Sequence, residues 1–247
     1  MAYAKINSVT NANMAKVNNA AKAALGKIAS IDAPSSFADG YSIALDGTNQ
    51  YFTTSDSTLS GDLGSVSMWF KLDTTAYSRT IFNFHADHNN NLLIYYHGGR
   101  NETNAEHKGG GTERAISVTP TVENNGWHHL AYTWDTSSDA SVLYIDGSSV
   151  GTGQAADFTG AVVNINFGYR QDSGLYFIGN LNDASLYDDV LTGGEVSTIY
   201  NSGAPKDESS HSGLVGYWKL EQNTDDSSGE GNSATLTNTP SYDSDTP

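Results

Sequence analysis

The clearest structural signal in this sequence is Trp127-His-His-Leu-Ala-Tyr-Thr-Trp134, followed by Ser141-Val-Leu-Tyr-Ile145 and the pair Asp146-Gly147. Aromatic and β-branched residues favour extended backbone, and glycine readily takes the positive φ that a tight hairpin turn requires. These runs are therefore predicted to be antiparallel strands. Successive side chains of a strand point to opposite faces, so one of His128 and His129 is expected to face inward and the other outward.

The same alternation continues on both sides of this stretch. Val66, Met68, Phe70 and Leu72 alternate within 65–72, which predicts a strand with one apolar face. Further short strands are predicted at 41–45, 50–53, 80–84, 91–96, 115–118, 162–167, 174–178, 183–187, 214–220 and 234–237. One short helix is predicted at 192–200, a long mobile loop at 98–111, and frayed backbone over the last ten residues. Many short strands joined by turns are typical of a sandwich or barrel.

Composition limits the classes of protein to which this chain can belong. The 247 residues fit one large β domain and a small appendage. A net charge of −16 disfavours nucleic acid as a partner, and the lack of cysteine excludes disulfides and thiolate metal sites. No run of 18 apolar residues occurs, so no membrane insertion is expected, and residues 12–31 lack the continuous apolar region of a signal peptide.

The N-terminal segment differs from the rest of the chain. Residues 1–31 contain four lysines and no acid. Apolar side chains within it follow the 3-4 spacing of a coiled-coil seam, at Met14, Val17, Ala21, Ala24, Ile28 and Ile31. Residues 1–36 are therefore predicted to form a short α-helix that anchors the chain or joins it into a homo-oligomer, for example a trimer. The alternative is a helix packed on its own β domain, which is assigned to residues 37–247.

Several motifs occur in the order found in a known family. They are Ile43-Ala-Leu-Asp-Gly-Thr-Asn-Gln-Tyr-Phe52, Val66-Ser-Met-Trp-Phe70, Gly126–Trp134, Leu143-Tyr-Ile-Asp-Gly147, Tyr176–Tyr187 and Leu191–Tyr200. Together they resemble laminin-G-like, concanavalin A-like lectin domains. The resemblance implies an all-β, two-sheet antiparallel jelly-roll sandwich of roughly 12 to 14 strands.

One segment stands in an unusual place. Gly213–Glu221 and Asp226–Asn232 resemble the part that opens many members of this family, but here they follow the domain. Three interpretations are open: residues 213–238 close their own sandwich, are donated to a neighbour, or begin a second repeat. The first is favoured, because the termini of a domain usually lie close together.

A second resemblance concerns biological context. Lys5–Val17 ahead of a laminin-G-like body, and Ile199-Tyr-Asn-Ser-Gly-Ala-Pro205 before Gly213–Leu220, are similar to structural proteins of tailed bacteriophages. This implies a virion protein (capsid decoration, head fibre or tail fibre) that binds capsid or other virion proteins through its helix and a host-surface glycan through its body. It would lie on the particle surface, and in the host cytoplasm during assembly. The alternative is a carbohydrate-binding or adhesion module of a bacterial surface protein.

Catalysis is not expected. Hydrolases of this fold place paired carboxylates along one strand, and no Glu-x-Asp-x-x-Glu stretch occurs, so a glycoside hydrolase is the least supported alternative. His85, Asp87 and His88 lack a fourth metal ligand and are interpreted as a polar hairpin.

Binding residues are predicted in two groups. Sugar-binding candidates are Tyr95, Tyr96, Arg100, Tyr169, Arg170 and Tyr176. The resemblance also makes calcium a candidate cofactor, with Asp46, Asn49, Asn180 and Asp183 as ligands. Asp46 and Asp183 could equally be turn and strand-end residues. The four tryptophans, Trp69, Trp127, Trp134 and Trp218, are assigned to the core.

Overall fold

A computed structural model describes residue 37 and residues 39–247, except for 56–58, 60, 120, 121, 123, 124 and 163. These residues form two antiparallel sheets and one short helix, which confirms the predicted all-β sandwich. Among them, no helix has the length and apolar character needed to cross a membrane. The predicted helical segment 1–36, with Met14 to Ile31 in its seam, lies outside the described residues.

Fifteen strands are found in the described part of the chain. Sheet A contains, in spatial order, β10 (Ser148–Gly153), β9 (Ala140–Ile145), β8 (Trp127–Asp135), β3 (Leu63–Leu72), β12 (Ile178–Tyr187), β1 (Ser42–Asp46) and β15 (Ser241–Asp243), with β13 (Leu214–Trp218) also beside β12. Sheet B contains β14 (Thr235–Thr237), β2 (Tyr51–Thr54), β11 (Asn164–Phe167), β4 (Arg79–Asp87), β5 (Asn90–His97), β6 (Glu102–Gly109) and β7 (Thr112–Val118).

The core lies between the two sheets. Sheet A buries Val66, Met68, Phe70 and Leu72, as their alternation predicted, and sheet B buries aromatic side chains that include Phe82, Phe84 and Phe167. Burying this apolar surface is the main driving force for folding.

The helix α1 (Gly193–Tyr200) forms where the sequence predicted it. Thr192 is its N-cap and accepts a hydrogen bond from the Glu195 backbone, while the Glu195 carboxylate accepts one from the Thr192 backbone. This capping box satisfies two backbone N–H groups at the helix start. Tyr200 packs on the outer face of sheet A, with its ring 5.7 Å from that of Trp69.

The C-terminal segment contributes strands to both sheets of its own sandwich. β13 pairs with β12 in sheet A, and β14 pairs with β2 in sheet B. Two different strands can border β12 on one side because β1 pairs with its first half, Ile178–Leu181, and β13 with its second half, Ala184–Tyr187. Asp183, which has a positive φ of 44°, stands between the two halves.

The last residues are ordered by pairing, so the prediction that they fray is wrong. β15 pairs with β1, and the Ser42 hydroxyl donates a hydrogen bond to the Asp245 carbonyl at 2.6 Å. The Asp245 carboxylate accepts hydrogen bonds from Lys71 and from the Trp127 indole N–H. Pairing at the sheet edge and these side-chain contacts hold the chain end in place.

The tryptophans divide between two environments. Trp134 and Trp218 lie in the core as predicted, and Trp69 is buried on the outer face of sheet A under α1. Trp127 is a correction, because it is only half-buried. β8 turns its even-numbered side chains inward, so Trp127 faces outward. The same alternation places His128 inward and His129 outward, as expected.

Residues 98–111 are not a long loop. They contain β6, which pairs with β5 and β7 through short turns. The sequence signal was weak because Thr103, Ala105 and His107 are small or polar, yet all three are buried on the inner face.

Candidate functional site on the outer face of sheet B

The outer face of sheet B is polar. Phe82 and Phe84 point into the core, so Asn83 and His85 face outward, while a register shift at Ile81 keeps that residue in the core. In the pairing register, Asn166, Asn83, Leu93 and Glu106 form one row across β11, β4, β5 and β6. We call the outward side chains of these four strands the polar face. Asn83, Asn166 and Leu93 are 2%, 2% and 1% exposed, so Tyr95, Glu106 and the loop that covers this row supply the groups that a ligand can reach.

A loop between β11 and β12, residues 168–177, lies against the polar face. The Gln171 backbone N–H donates to the Asn83 Oδ1 at 3.0 Å, and the Asn166 Nδ2 donates to the Gln171 Oε1 at 3.3 Å. The Asp172 carboxylate oxygens lie 3.2 Å from the His85 Nε2 and 3.5 Å from the His88 Nδ1. These contacts fix the path of the loop over β4 and β11.

Three tyrosines stack where this loop leaves and rejoins the sheet. The ring centroids of Tyr51 and Tyr169 are 4.5 Å apart, and those of Tyr169 and Tyr176 are 4.9 Å apart. The rings of each pair are inclined by 24° and 21°. We call Tyr51, Tyr169 and Tyr176 the tyrosine stack. All three are partly exposed, so the stack offers aromatic surface to a ligand.

Tyr95 lies on the polar face, and the charge of Arg170 acts on it. The Tyr95 hydroxyl donates to the Glu106 Oε1 at 2.7 Å. Burial, followed by the hydrogen bond to Glu106, raises the pKa of Tyr95 well above its ordinary value, and the positive charge of Arg170 opposes that rise. Tyr95 is therefore neutral at physiological pH and remains a hydrogen-bond donor.

The structure brings together four of the six predicted sugar-binding residues, namely Tyr95, Tyr169, Arg170 and Tyr176. Tyr96 is a correction: its side chain is 1% exposed and belongs to the core, because β5 turns Leu92, Ile94 and Tyr96 inward. Arg100 lies in the exposed β5–β6 turn, where its Nη1 is 3.9 Å from the Glu102 Oε2.

Sequence reasoning missed several residues of the site. Tyr51 could have been found, because it precedes Phe52 on a strand and must face the opposite way. Asn83, Glu106 and Gln171 carried no such signal. They become neighbours only through strand register and the path of the loop.

The four predicted calcium ligands engage different neighbours. The Asp46 Oδ1 accepts hydrogen bonds from the backbone of Thr48 and Asn49 in an exposed turn. Asn180 donates to the Ser42 hydroxyl at 2.9 Å, and Asp183 accepts from the Tyr217 hydroxyl at 2.7 Å.

These contacts do not assemble the four residues into one ligand set. Burial raises the pKa of Asp183 well above its ordinary value, which disfavours the charged form that a hard cation binds. Over the described residues, no group of three or more His, Cys, Asp or Glu side chains is arranged to hold a metal ion.

Comparison with known proteins agrees with this architecture. The Laminin_G_3 family model, described as the concanavalin A-like lectin/glucanases superfamily, matches residues 46–197. The match covers more than half of the chain, so the chain belongs to this family.

A curated relative is similar over a short part of the chain. It is the Sushi, von Willebrand factor type A, EGF and pentraxin domain-containing protein 1 of Rattus norvegicus, 33% identical over 100 residues. The aligned part is 35% of this chain and only 3% of the relative. The activities and partners of the whole relative therefore do not transfer.

Two solved structures share the fold. A provisionally assigned carbohydrate-binding protein from Bacteroides ovatus aligns with a TM-score of 0.64 and 15% identity, over 83% of this chain and 59% of that one. The heptameric SAP-like pentraxin of Limulus polyphemus aligns with a TM-score of 0.62 and 16% identity, over 83% and 94%. At such low identity the likeness shows the fold alone.

Proposed function

We propose that this chain is a non-catalytic carbohydrate-binding module that holds its ligand on the polar face beside the tyrosine stack. The observation that carries the proposal is the stack itself, in which the Tyr169 hydroxyl donates to the carbonyl of Gln171 at 3.2 Å. The Gln171 side-chain amide is exposed beside it, whereas Asn83 and Asn166 are each 2% exposed and hold the loop from below. A sugar has an apolar face of C–H groups that packs on aromatic rings. Its hydroxyls exchange hydrogen bonds with side-chain amides.

The contacts made by the carboxylates on this face favour binding over hydrolysis. Glycoside hydrolysis requires two carboxyl groups that flank the scissile bond, one as acid and one as base or nucleophile. Glu106 already accepts the Tyr95 hydroxyl, and Asp172 lies between His85 and His88. Glu106 thus has a hydrogen-bond donor of its own, and Asp172 lies close to two imidazoles on β4 and the turn after it. The provisional assignment of the Bacteroides ovatus protein to carbohydrate binding is consistent with this proposal.

A glycan array probed with the full-length chain tests the proposal, followed by calorimetry on the best ligand. Tyr176→Ala removes the end of the stack and should weaken binding at least tenfold, the equivalent of about 1.4 kcal/mol. Tyr41→Ala is the matched control, because Tyr41 is also an exposed tyrosine (37%) but precedes β1 in sheet A. Absence of any glycan ligand, or equal losses in the two variants, would refute the proposal.

A second proposal concerns the biological particle to which this module belongs. We propose a virion of a tailed bacteriophage, with residues 1–36 as the anchor to capsid or other virion proteins and as the contact between copies. Support comes from the sequence: the heptad spacing, the lysines without acids, and the resemblance of Lys5–Val17. An adhesion module of a bacterial surface protein is the alternative.

Purified particles of the phage that encodes the chain distinguish these two settings. Mass spectrometry should detect the chain in the particles, and its absence would remove the virion proposal. A variant that lacks residues 1–31 should fold, because residues 39–247 form a compact unit with their own core, but should not incorporate into particles. Incorporation of that variant would show that the anchor lies elsewhere.

A further inference from the structure

Arg170 is a half-buried cation that forms no ion pair with any residue in the described part of the chain. The chain has 28 acidic and only 12 basic residues, and Lys71 and Lys219 have carboxylate partners in Asp245 and Asp207. Arg79 is also half-buried without an ion pair, but its Nη1 donates to the Tyr176 carbonyl at 3.5 Å and its guanidinium lies 5.5 Å from the Tyr77 ring centroid. Because acidic residues are in such excess, an arginine without a carboxylate partner is notable, and it can still bind an anion.

The position of Arg170 is fixed by its backbone. Its N–H donates to the Leu175 carbonyl at 3.1 Å, and its own carbonyl accepts from the N–H groups of Ser173 and Gly174. The residue directly follows Tyr169 of the tyrosine stack, and its charge acts on Tyr95 on the polar face. The backbone of Arg170 is thus fixed in the turn that carries Tyr169 and Tyr176 of the tyrosine stack.

The acidic residues near Arg170 are engaged elsewhere. Glu106 accepts the Tyr95 hydroxyl, and Asp172 lies between two histidines. Glu113, which also acts on Tyr95, stands opposite Lys108 in the register of β6 and β7. Opposite charges at directly paired positions attract each other, and the Glu113 side chain is exposed to solvent. These engagements leave Arg170 available to a ligand.

We infer that the glycan bound at the polar face carries an anionic group, a carboxylate or a sulfate, which pairs with Arg170 while a neighbouring sugar ring packs on the tyrosine stack. This inference rests on the proposed carbohydrate binding. The planar guanidinium can form two parallel hydrogen bonds with such a group. A neutral glycan would leave the cation without a partner in a partly desolvated place.

Matched pairs of acidic and neutral probes test the inference on the full-length protein. The pairs are trigalacturonate and its methyl ester, sialyllactose and lactose, and a galactobiose with and without a 6-sulfate. We expect wild type to bind an acidic member at least tenfold more tightly than its neutral partner. The carboxylate and sulfate pairs distinguish the two sources of charge.

Variants then assign the effect to one residue. Arg170→Gln should abolish most of the preference for the acidic probe, with a loss of at least tenfold in affinity, the equivalent of about 1.4 kcal/mol. Arg100→Gln is the control, since it removes an equal charge from the exposed β5–β6 turn and should retain the preference. If Arg170→Gln does not fold, Arg170→Lys keeps the charge without the paired geometry and should bind the acidic probe several-fold more weakly.

The possible outcomes distinguish the inference of an anionic glycan from the proposal of carbohydrate binding. Wild type that binds only neutral glycans, or both members of every pair equally, overturns the inference and leaves carbohydrate binding intact. Equal losses in Arg170→Gln and Arg100→Gln overturn it as well, because the effect would then be one of net charge. A protein that binds no glycan, here or on the array, overturns both.

Discussion

Two tryptophans on the same strand should differ sharply in their contribution to stability. Trp134 is 1% exposed and packs in the core against Phe84 and Tyr132. Truncating a buried tryptophan to alanine removes transfer free energy and leaves a cavity, so Trp134→Ala should lower the free energy of unfolding by about 3–5 kcal/mol.

Trp127 makes a different set of contacts at the other end of β8. Its Nε1 donates to the Asp245 Oδ1 at 2.9 Å, and the Lys71 Nζ lies 5.9 Å from its ring centroid. A hydrogen bond to a charged group contributes about 1.5–3 kcal/mol, less where water can replace it, and an exposed cation–π contact about 0.5–1 kcal/mol. For this half-buried residue, we expect Trp127→Ala to cost about 1–2 kcal/mol.

Urea unfolding followed by far-UV circular dichroism measures both changes without relying on tryptophan fluorescence. The denaturant slope should stay constant, so that the midpoints report stability. Trp127→Phe keeps the ring and loses the N–H, and in an Asp245→Ala background it should cost almost nothing further, since the acceptor is already gone. If Trp127→Ala destabilises the protein as much as Trp134→Ala does, the outward orientation of Trp127 is wrong.

Two further predictions concern buried charge and backbone geometry. Burial raises the pKa of Asp183 in the folded state, so stability should fall as pH rises from about 4 through that raised pKa, where the unfolded chain has already released its proton. Asp183→Asn should reduce this decline when the free energy of unfolding is measured by urea titration between pH 4 and 8. Equal dependence on pH in wild type and variant would contradict the assignment of the decline to Asp183. Gly179 has a φ of 129°, and a Cβ there would lie 2.0 Å from the Lys71 carbonyl oxygen, so Gly179→Ala should prevent folding or cost more than about 3 kcal/mol. Gly229, with a φ of 95° and open space around it, is the control, and Gly229→Ala should cost only about 1–2 kcal/mol in the same unfolding assay.

Part of the site could be predicted from local sequence. The alternation of Leu92 and Ile94 with Tyr95 implies that Tyr95 faces away from the core, and the structure places it on the polar face. Tyr96 could have been assigned to the core by the same rule, because it shares a face with Leu92 and Ile94. Tyr95 and Tyr96 cannot both line the polar face, because adjacent side chains of a strand point to opposite faces.

The rest of the site depends on contacts between residues far apart in sequence. Tyr51 and Tyr169 stack although 118 positions separate them, because β2 pairs with β11 and the loop that follows β11 turns back over the sheet. Asp245 reaches Trp127 only because β15 adds to the edge of sheet A beside β1. Neither the strand partners nor the path of the loop has a local signature.

The sequence by itself determined the class of fold. A period of two in the apolar side chains requires each strand to bury one face, which a sandwich or a barrel achieves, and the resemblance to laminin-G-like domains indicated the sandwich. It also determined the helix at 193–200, whose capping residues Thr192 and Glu195 are local. Only the tertiary structure decided which outward residues meet on the polar face and which tryptophan lies outside the core. Strand register and edge pairing depend on packing across the whole sandwich, so they cannot be predicted from a short stretch of sequence.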